Sequence, residues 1–217
     1  MVFLLPKKRD FYSKKAKYEG YRSRAAYKLL QIDNKFKLFH PNQTVIDLCG
    51  APGGFSQIAR DKTNGEARIF LVDIARTKPI PNITEIIKGD ITKLQTILQL
   101  QKSLEKQGAD NNEIVVLADC SPNVSGHWTM DHTRQIWLAE VALGISNYFL
   151  AEKFVTKVFQ GEFFQELLDK INVSYQSVKI FKPPTSRKKS AETYIIALEN
   201  KNRGTERYNQ KHLVKNI

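Results

Sequence analysis

Residues 45–60 read VIDLCGAPGGFSQIAR, and the character of the chain changes inside them. An apolar run ends at Cys49. A turn of glycine and proline follows, and a sequence compatible with a helix begins at Gly53. A strand, a glycine turn and a helix together make a ligand cradle, because glycine lets backbone approach a ligand closely and tolerates positive φ. Two common cradles fail here. A dinucleotide fingerprint starting at Gly50 requires glycine at 52 and 55, where the chain has Pro52 and Phe55. A triphosphate loop requires glycine at 55 and then lysine, where it has Phe55 and Ser56.

Outward from this turn, the chain alternates. Strands are expected at 44–49, 67–73, 83–87, 113–120 and 154–160, with helices at 23–36, 53–62, 91–107, 131–153 and 161–171. Ser23 is placed to cap the first helix, whose inner face carries Leu29, Ile32 and Phe36. Leu94, Ile97, Leu98 and Leu104 are expected on the inner side of the third helix. The rhythm then breaks. Strands at 174–181 and 192–198 are separated only by a basic turn with Pro183 and Pro184, too short for a crossover helix. They should be antiparallel neighbours. The expectation is an α/β fold: a doubly wound, mostly parallel, seven-stranded sheet ending in an antiparallel hairpin. One domain over 1–200 with a basic N-terminal helical arm, then a loose basic tail over 201–217, accounts for the length.

Aspartates accompany the strand ends: Asp47, Asp73, Asp90 and Asp119. In a parallel sheet they converge on one crevice. Such a site disfavours phosphates and suits a neutral or cationic nucleoside. S-adenosylmethionine, with ribose hydroxyls, an ammonium and a sulfonium, is one.

Charge is the strongest bulk signal. There are 34 Lys and Arg against 22 Asp and Glu, for a net +12. Lys7, Lys8, Arg9, Lys14, Lys15, Lys17, Arg22, Arg24 and Lys28 crowd one N-terminal stretch, with Phe11, Tyr12, Tyr18 and Tyr21 among them. Basic residues interleaved with aromatics suit a surface that tracks phosphates. A second cluster is Lys179, Lys182, Arg187, Lys188 and Lys189. No apolar run is long enough for a membrane span and no secretory leader is evident, so a cytoplasmic protein is expected. Cys49 and Cys120 fit a reducing compartment as small half-buried residues rather than a redox pair. Two cysteines and four scattered histidines make no metal pattern.

Four further segments bear on activity: GYRSRAAYKL (20–29), ADCSPNVSG (118–126), FVTKVFQGE (154–162) and KPPTSRKKSAETYIIA (182–197). With DLCGAPGGFSQ, they resemble the FtsJ/RrmJ family of S-adenosylmethionine-dependent RNA 2′-O-methyltransferases, in family order, over residues 10–197. The resemblance implies a class I methyltransferase fold and a catalytic tetrad of Lys28, Asp119, Lys157 and Glu192. It implies cofactor contacts from Asp47, Gly50, Ala51, Pro52, Gly53, Gly54, Phe55, Asp73, Ile74, Asp90, Ile91 and Asp119, with no metal. Asp73 would hold the ribose, Asp90 the adenine edge, and Asp47 would support the methionine end. The proline that many members carry three residues after the ribose acid is displaced here to Pro79.

The chemistry suits these residue types. A ribose 2′-hydroxyl must lose its proton as the methyl group arrives, and a neutral lysine amine could accept it. A buried lysine on a central strand, as in FVTKVF, is unusual enough to mark Lys157. The expected substrate is a uridine of large-subunit ribosomal RNA, acted on by a monomer. Transfer RNA as substrate, or a non-catalytic RNA-binding assembly factor, are the alternatives.

Overall fold

The computed structural model describes residues 11–109, 113–122, 125–187 and 190–202. Seven strands form one sheet in the order β3-β2-β1-β4-β5-β7-β6. They are β1 (Thr44–Leu48), β2 (Arg68–Asp73), β3 (Glu85–Lys88), β4 (Ile114–Ala118), β5 (Lys153–Phe159), β6 (Tyr175–Phe181) and β7 (Glu192–Asn200). The helices are α1 (Phe11–Tyr18), α2 (Ala25–Phe36), α3 (Gly54–Lys62), α4 (Leu94–Lys106), α5 (Trp128–Tyr148) and α6 (Phe164–Ser174).

β1 to β5 run parallel, and β7 lies antiparallel between β5 and β6. The hairpin expected at the end of the sheet is present. Its second strand, not its first, pairs with β5. That insertion brings the start of β7 beside the end of β5, with Phe159 opposite Glu192 and Lys157 opposite Tyr194.

Central strands are mostly apolar because both faces of the sheet are covered. Along β4, Val115 and Leu117 join the core beneath α2 and α3, with Leu29, Ile32, Phe55 and Ile58. Val116 and Ala118 join the other core, with Ile97, Leu100, Ile145 and Leu167 of α4, α5 and α6. The period of two along the strand thus divides the chain into two cores, one on each face.

Three local expectations are corrected. Ser23 does not cap α2: the N-cap is Arg24, with no side-chain hydrogen bond. Packing takes Ser23 elsewhere, since a Cβ built on Gly54 would lie 2.3 Å from its Oγ. On α4, Leu94 is exposed and Leu98 half-buried, while Leu100 is fully buried; the inner stripe runs through Thr96, Ile97, Leu100, Ser103 and Leu104. Third, Cys49 and Cys120 are joined in a disulfide. β1 and β4 are adjacent parallel strands in register, Leu48 opposite Ala118. Residues just past their ends therefore face one another, with Cα atoms 5.0 Å apart.

The basic N-terminal residues 7–9, Lys188, Lys189 and the tail from 203 lie outside the described residues. Among the described residues, no helix is long and apolar enough to cross a membrane, and no group of three or more His, Cys, Asp or Glu could hold a metal.

Candidate active site

Lys28, Asp119, Lys157 and Glu192 come together from four elements. Asp119 immediately follows β4, and Lys157 sits on the adjacent β5. The Lys157 Nζ lies 3.1 Å from Asp119 Oδ1 and donates to the Asp119 backbone carbonyl at 2.9 Å. Lys28 projects from α2 to Glu192 at the start of β7, with Nζ to Oε1 at 2.6 Å. Ser186 Oγ donates to the same Glu192 oxygen at 3.1 Å. Both lysine residues are 5 % exposed. A lysine so deeply buried is rarely left unpaired, and each here has its own carboxylate.

Tyr194 connects the two ion pairs. Its hydroxyl donates to Asp119 Oδ1 at 2.7 Å, and Lys28 Nζ stands 5.8 Å from its ring centre. The side chain is fully buried. Burial, reinforced by the charges of Asp119 and Glu192, pushes its phenol well above the ordinary value, so it stays a donor. Tyr194 is absent from the residues that the sequence singles out. Its signal was available: Glu192 and Tyr194 are two apart on one strand, hence on one face.

Beside the Lys157–Asp119 pair opens a cavity of about 430 Å³. Of the residues expected to hold a cofactor, Ala51, Asp73, Ile74, Asp90, Ile91 and Asp119 line it. Asp73 accepts the backbone N–H of Ala51 at 2.9 Å and that of Ala75 at 2.7 Å. Asp90 accepts both the N–H and the hydroxyl of Thr92 on Oδ1, at 2.9 and 2.8 Å. Pro122, from the segment 118–126, also lines it, as do Trp137 and Leu138, which did not stand out in the sequence. A larger groove of about 630 Å³ lies at the sheet edge around β3, away from the lysine–carboxylate pairs. It holds none of their side chains, so the smaller cavity is the candidate.

The remaining expected cofactor residues, Asp47, Gly50, Pro52, Gly53, Gly54 and Phe55, do not line the cavity. The Ala51–Pro52 peptide is cis. Gly53 has φ +109°, a conformation that L side chains rarely adopt, and a Cβ there would meet Ile80 Cδ1 at 2.3 Å. Phe55 is buried in the α2/α3 core near Tyr194, ring centres 6.4 Å apart. Arg22 fastens the N-terminal segment to the turn by donating to the carbonyls of Pro52, Lys78 and Pro79. Gln57 reinforces the junction, accepting from the Arg22 N–H and donating to the Gly20 carbonyl.

Asp47 is fully buried beneath the turn. Ser56 donates to its Oδ2 at 2.6 Å, while Oδ1 is buried with no hydrogen-bond partner. Burial pushes its carboxyl up to about 7, against the pull of the Ser56 bond and helped by the nearby charges of Asp119 and Asp73. An orphaned acceptor below a glycine turn fits a cofactor that brings a cationic donor.

The sequence profile of FtsJ-like methyltransferases matches residues 21–200. The chain belongs to the FtsJ-like methyltransferase family. It is 44 % identical over 191 residues to the ribosomal RNA large subunit methyltransferase E of Methanococcoides burtonii, covering 87 % of this chain and 69 % of that one. The protein of the same name from Methylobacillus flagellatus is 40 % identical over 195 residues, covering 89 % and 92 %. A ribosomal RNA methyltransferase structure from Plasmodium falciparum superposes with a TM-score of 0.73 at 24 % identity, over 83 % of this chain and 98 % of that one. The fold is accordingly that of a class I methyltransferase, and the family supplies the activity class. In this family member, the cavity and the Lys157 ion pair share Asp119, and Tyr194 links that pair to Lys28 and Glu192.

Proposed function

We propose that this methyltransferase modifies a ribose 2′-hydroxyl of RNA, with S-adenosylmethionine as methyl donor and large-subunit ribosomal RNA as substrate. The observation that carries the reading is the Lys157 amine held by both the side chain and the backbone of Asp119, at the wall of the cavity. The relatives' names support the choice of RNA, and the net +12 suits a polyanionic partner.

When bound, the cofactor would supply an electrophilic methyl group on a sulfonium. The rest of the work belongs to this chain. Asp73 and Asp90 would hold the adenosine end and Asp47 Oδ1 the ammonium. Asp119 and Tyr194 fix the direction of the Lys157 amine, which in its neutral form would take the proton from the 2′-oxygen. Lys28, anchored by Glu192, would steady the developing oxyanion. Holding hydroxyl and methyl in line supplies much of the remaining rate. The reading includes a cytoplasmic monomer of one catalytic domain, with residues 201–217 as a basic tail.

The test is methyl transfer from labelled S-adenosylmethionine to purified ribosomal subunits and to transfer RNA, with Lys157→Ala beside the wild type. Expected is label in large subunits only, absent with the variant. Alkaline digestion should then yield a labelled dinucleotide, because a 2′-O-methyl blocks cleavage at that position. Label in transfer RNA would overturn the substrate, and alkali-sensitive label would overturn the ribose.

A further inference from the structure

Near-parallel aromatic rings gather at the end of the strand that carries Lys157. Trp128 opens α5 and stacks with His132, ring centres 5.9 Å apart and planes 9° apart. It also stacks with Phe159 at 6.1 Å and 23°. His132 in turn stacks with Phe163 at 6.0 Å and 11°. The arrangement is braced from several sides. Phe163 N–H donates to His132 Nε2 at 3.3 Å. Gly161 leaves the ring its space, since a Cβ there would fall 2.7 Å from it. Asp131 ties down the turn ahead of Trp128, accepting from the Ser125 N–H and hydroxyl at 2.8 Å each and from the Gly126 N–H at 3.1 Å.

For all this bracing, Trp128 is 53 % exposed. His132, at 2 % exposure, is held neutral by burial, so the stack presents an apolar aromatic surface rather than a cation. Its position is specific. Phe159 ends β5 two residues beyond Lys157 and lies opposite Glu192 in the sheet register. The exposed indole therefore packs at the end of the strand that carries Lys157, where Glu192 lies opposite.

We infer that Trp128 is a stacking platform for an unpaired nucleobase of the RNA, next to the nucleotide whose ribose reacts. A pre-ordered flat aromatic surface gains most from another flat ring, and base–aromatic stacking tolerates any base identity. The strongly basic chain supplies the attraction for the phosphates that such a base carries with it. Trp128 thus positions substrate without touching the proton or methyl in transit. The inference rests on the proposed function only in taking RNA as the partner.

The experiment compares binding of a short unstructured RNA oligonucleotide with that of the same oligonucleotide carrying abasic riboses. Wild type should bind the base-bearing form about tenfold more tightly. Trp128→Ala should erase that preference while leaving the abasic affinity and the S-adenosylmethionine affinity unchanged. Trp128→Tyr should restore it, and Trp128→Leu, which keeps apolar bulk without a π face, should not. In methyl transfer, the alanine variant should raise KM for RNA more than it lowers kcat. Equal losses for both oligonucleotides, or full rescue by leucine, would overturn the platform. If wild type prefers bases yet transfers no methyl group to RNA, the proposed reaction fails and the platform stands. Lys157→Ala should abolish transfer without altering the preference for bases; loss of that preference too would overturn a platform separate from the lysine.

Discussion

Tyr194 donates to the same oxygen of Asp119 that pairs with Lys157, at 2.7 Å and 3.1 Å respectively. One carboxylate oxygen thus receives two fixed donors from neighbouring strands, and the amine is held from a rigid base. Tyr194→Phe keeps the ring and removes one bond. We expect kcat to fall about tenfold, or about 1.4 kcal/mol, with cofactor affinity retained. Steady-state kinetics beside a binding isotherm will show whether the loss lies in turnover.

A guanidinium can keep the ion pair with Asp119 but cannot give up its proton to become a base. Lys157→Arg should therefore lose about 10²–10⁴ in turnover while folding normally. Activity within a few-fold of wild type would remove Lys157 from the role of proton acceptor.

Gly54 packs against Ser23, and the two can be tested as a pair. Gly54→Ala places a methyl 2.3 Å from Ser23 Oγ, and we expect a loss of about 1–3 kcal/mol in denaturant unfolding. Adding Ser23→Ala removes the obstructing hydroxyl, so the double variant should recover most of it. Additive losses would show that the turn, not the contact, limits this position.

Asp47 couples folding to pH. Its carboxyl is raised to about 7, so between about pH 4 and pH 7 the folded protein keeps a proton that the unfolded chain has released. Its contribution is therefore fully present below about pH 4, is lost as pH rises towards 7, and stays lost above. The contribution is at most about 4 kcal/mol. Urea midpoints at acid and neutral pH should show Asp47→Asn with a smaller loss on raising the pH than wild type. S-adenosylmethionine, through its ammonium, should bind wild type more tightly above pH 7 than below.

The disulfide closes a loop of 71 residues between adjacent strands. In the chain-entropy account, such a cross-link stabilises by about 4 kcal/mol. Treatment with a dithiol, or replacement of both cysteines by alanine, should lower Tm by a similar amount in each case. A Tm insensitive to both would mean that the native packing alone holds the two strand ends together.

Much of this architecture was legible in local sequence. Continuous apolar strands, the glycine turn and the close spacing of the last two strands follow from period and turn chemistry, which act over a few residues. What escaped depends on contacts between distant segments. The pairing of Cys49 with Cys120 requires knowing that β1 and β4 are neighbours and in register. Ser23 looks like a cap until α3 packs against it. Leu94 satisfies a helical stripe, yet it is the first residue of the helix and is exposed, and the buried stripe starts only at Thr96. Lys28, Asp119, Lys157 and Glu192 were named through motif resemblance, whereas Trp137 and the Trp128 stack emerge only once strands and helices are assembled.

The late insertion of β7 between β5 and β6 has a consequence for synthesis. The turn, the cavity wall and Lys157 all emerge from a translating ribosome before Glu192 and Tyr194 do. A nascent chain can fold its cradle early, yet Lys28 waits for a carboxylate carried on the last strand. Competence to react is thus deferred until the end of the domain has been made and threaded into the sheet.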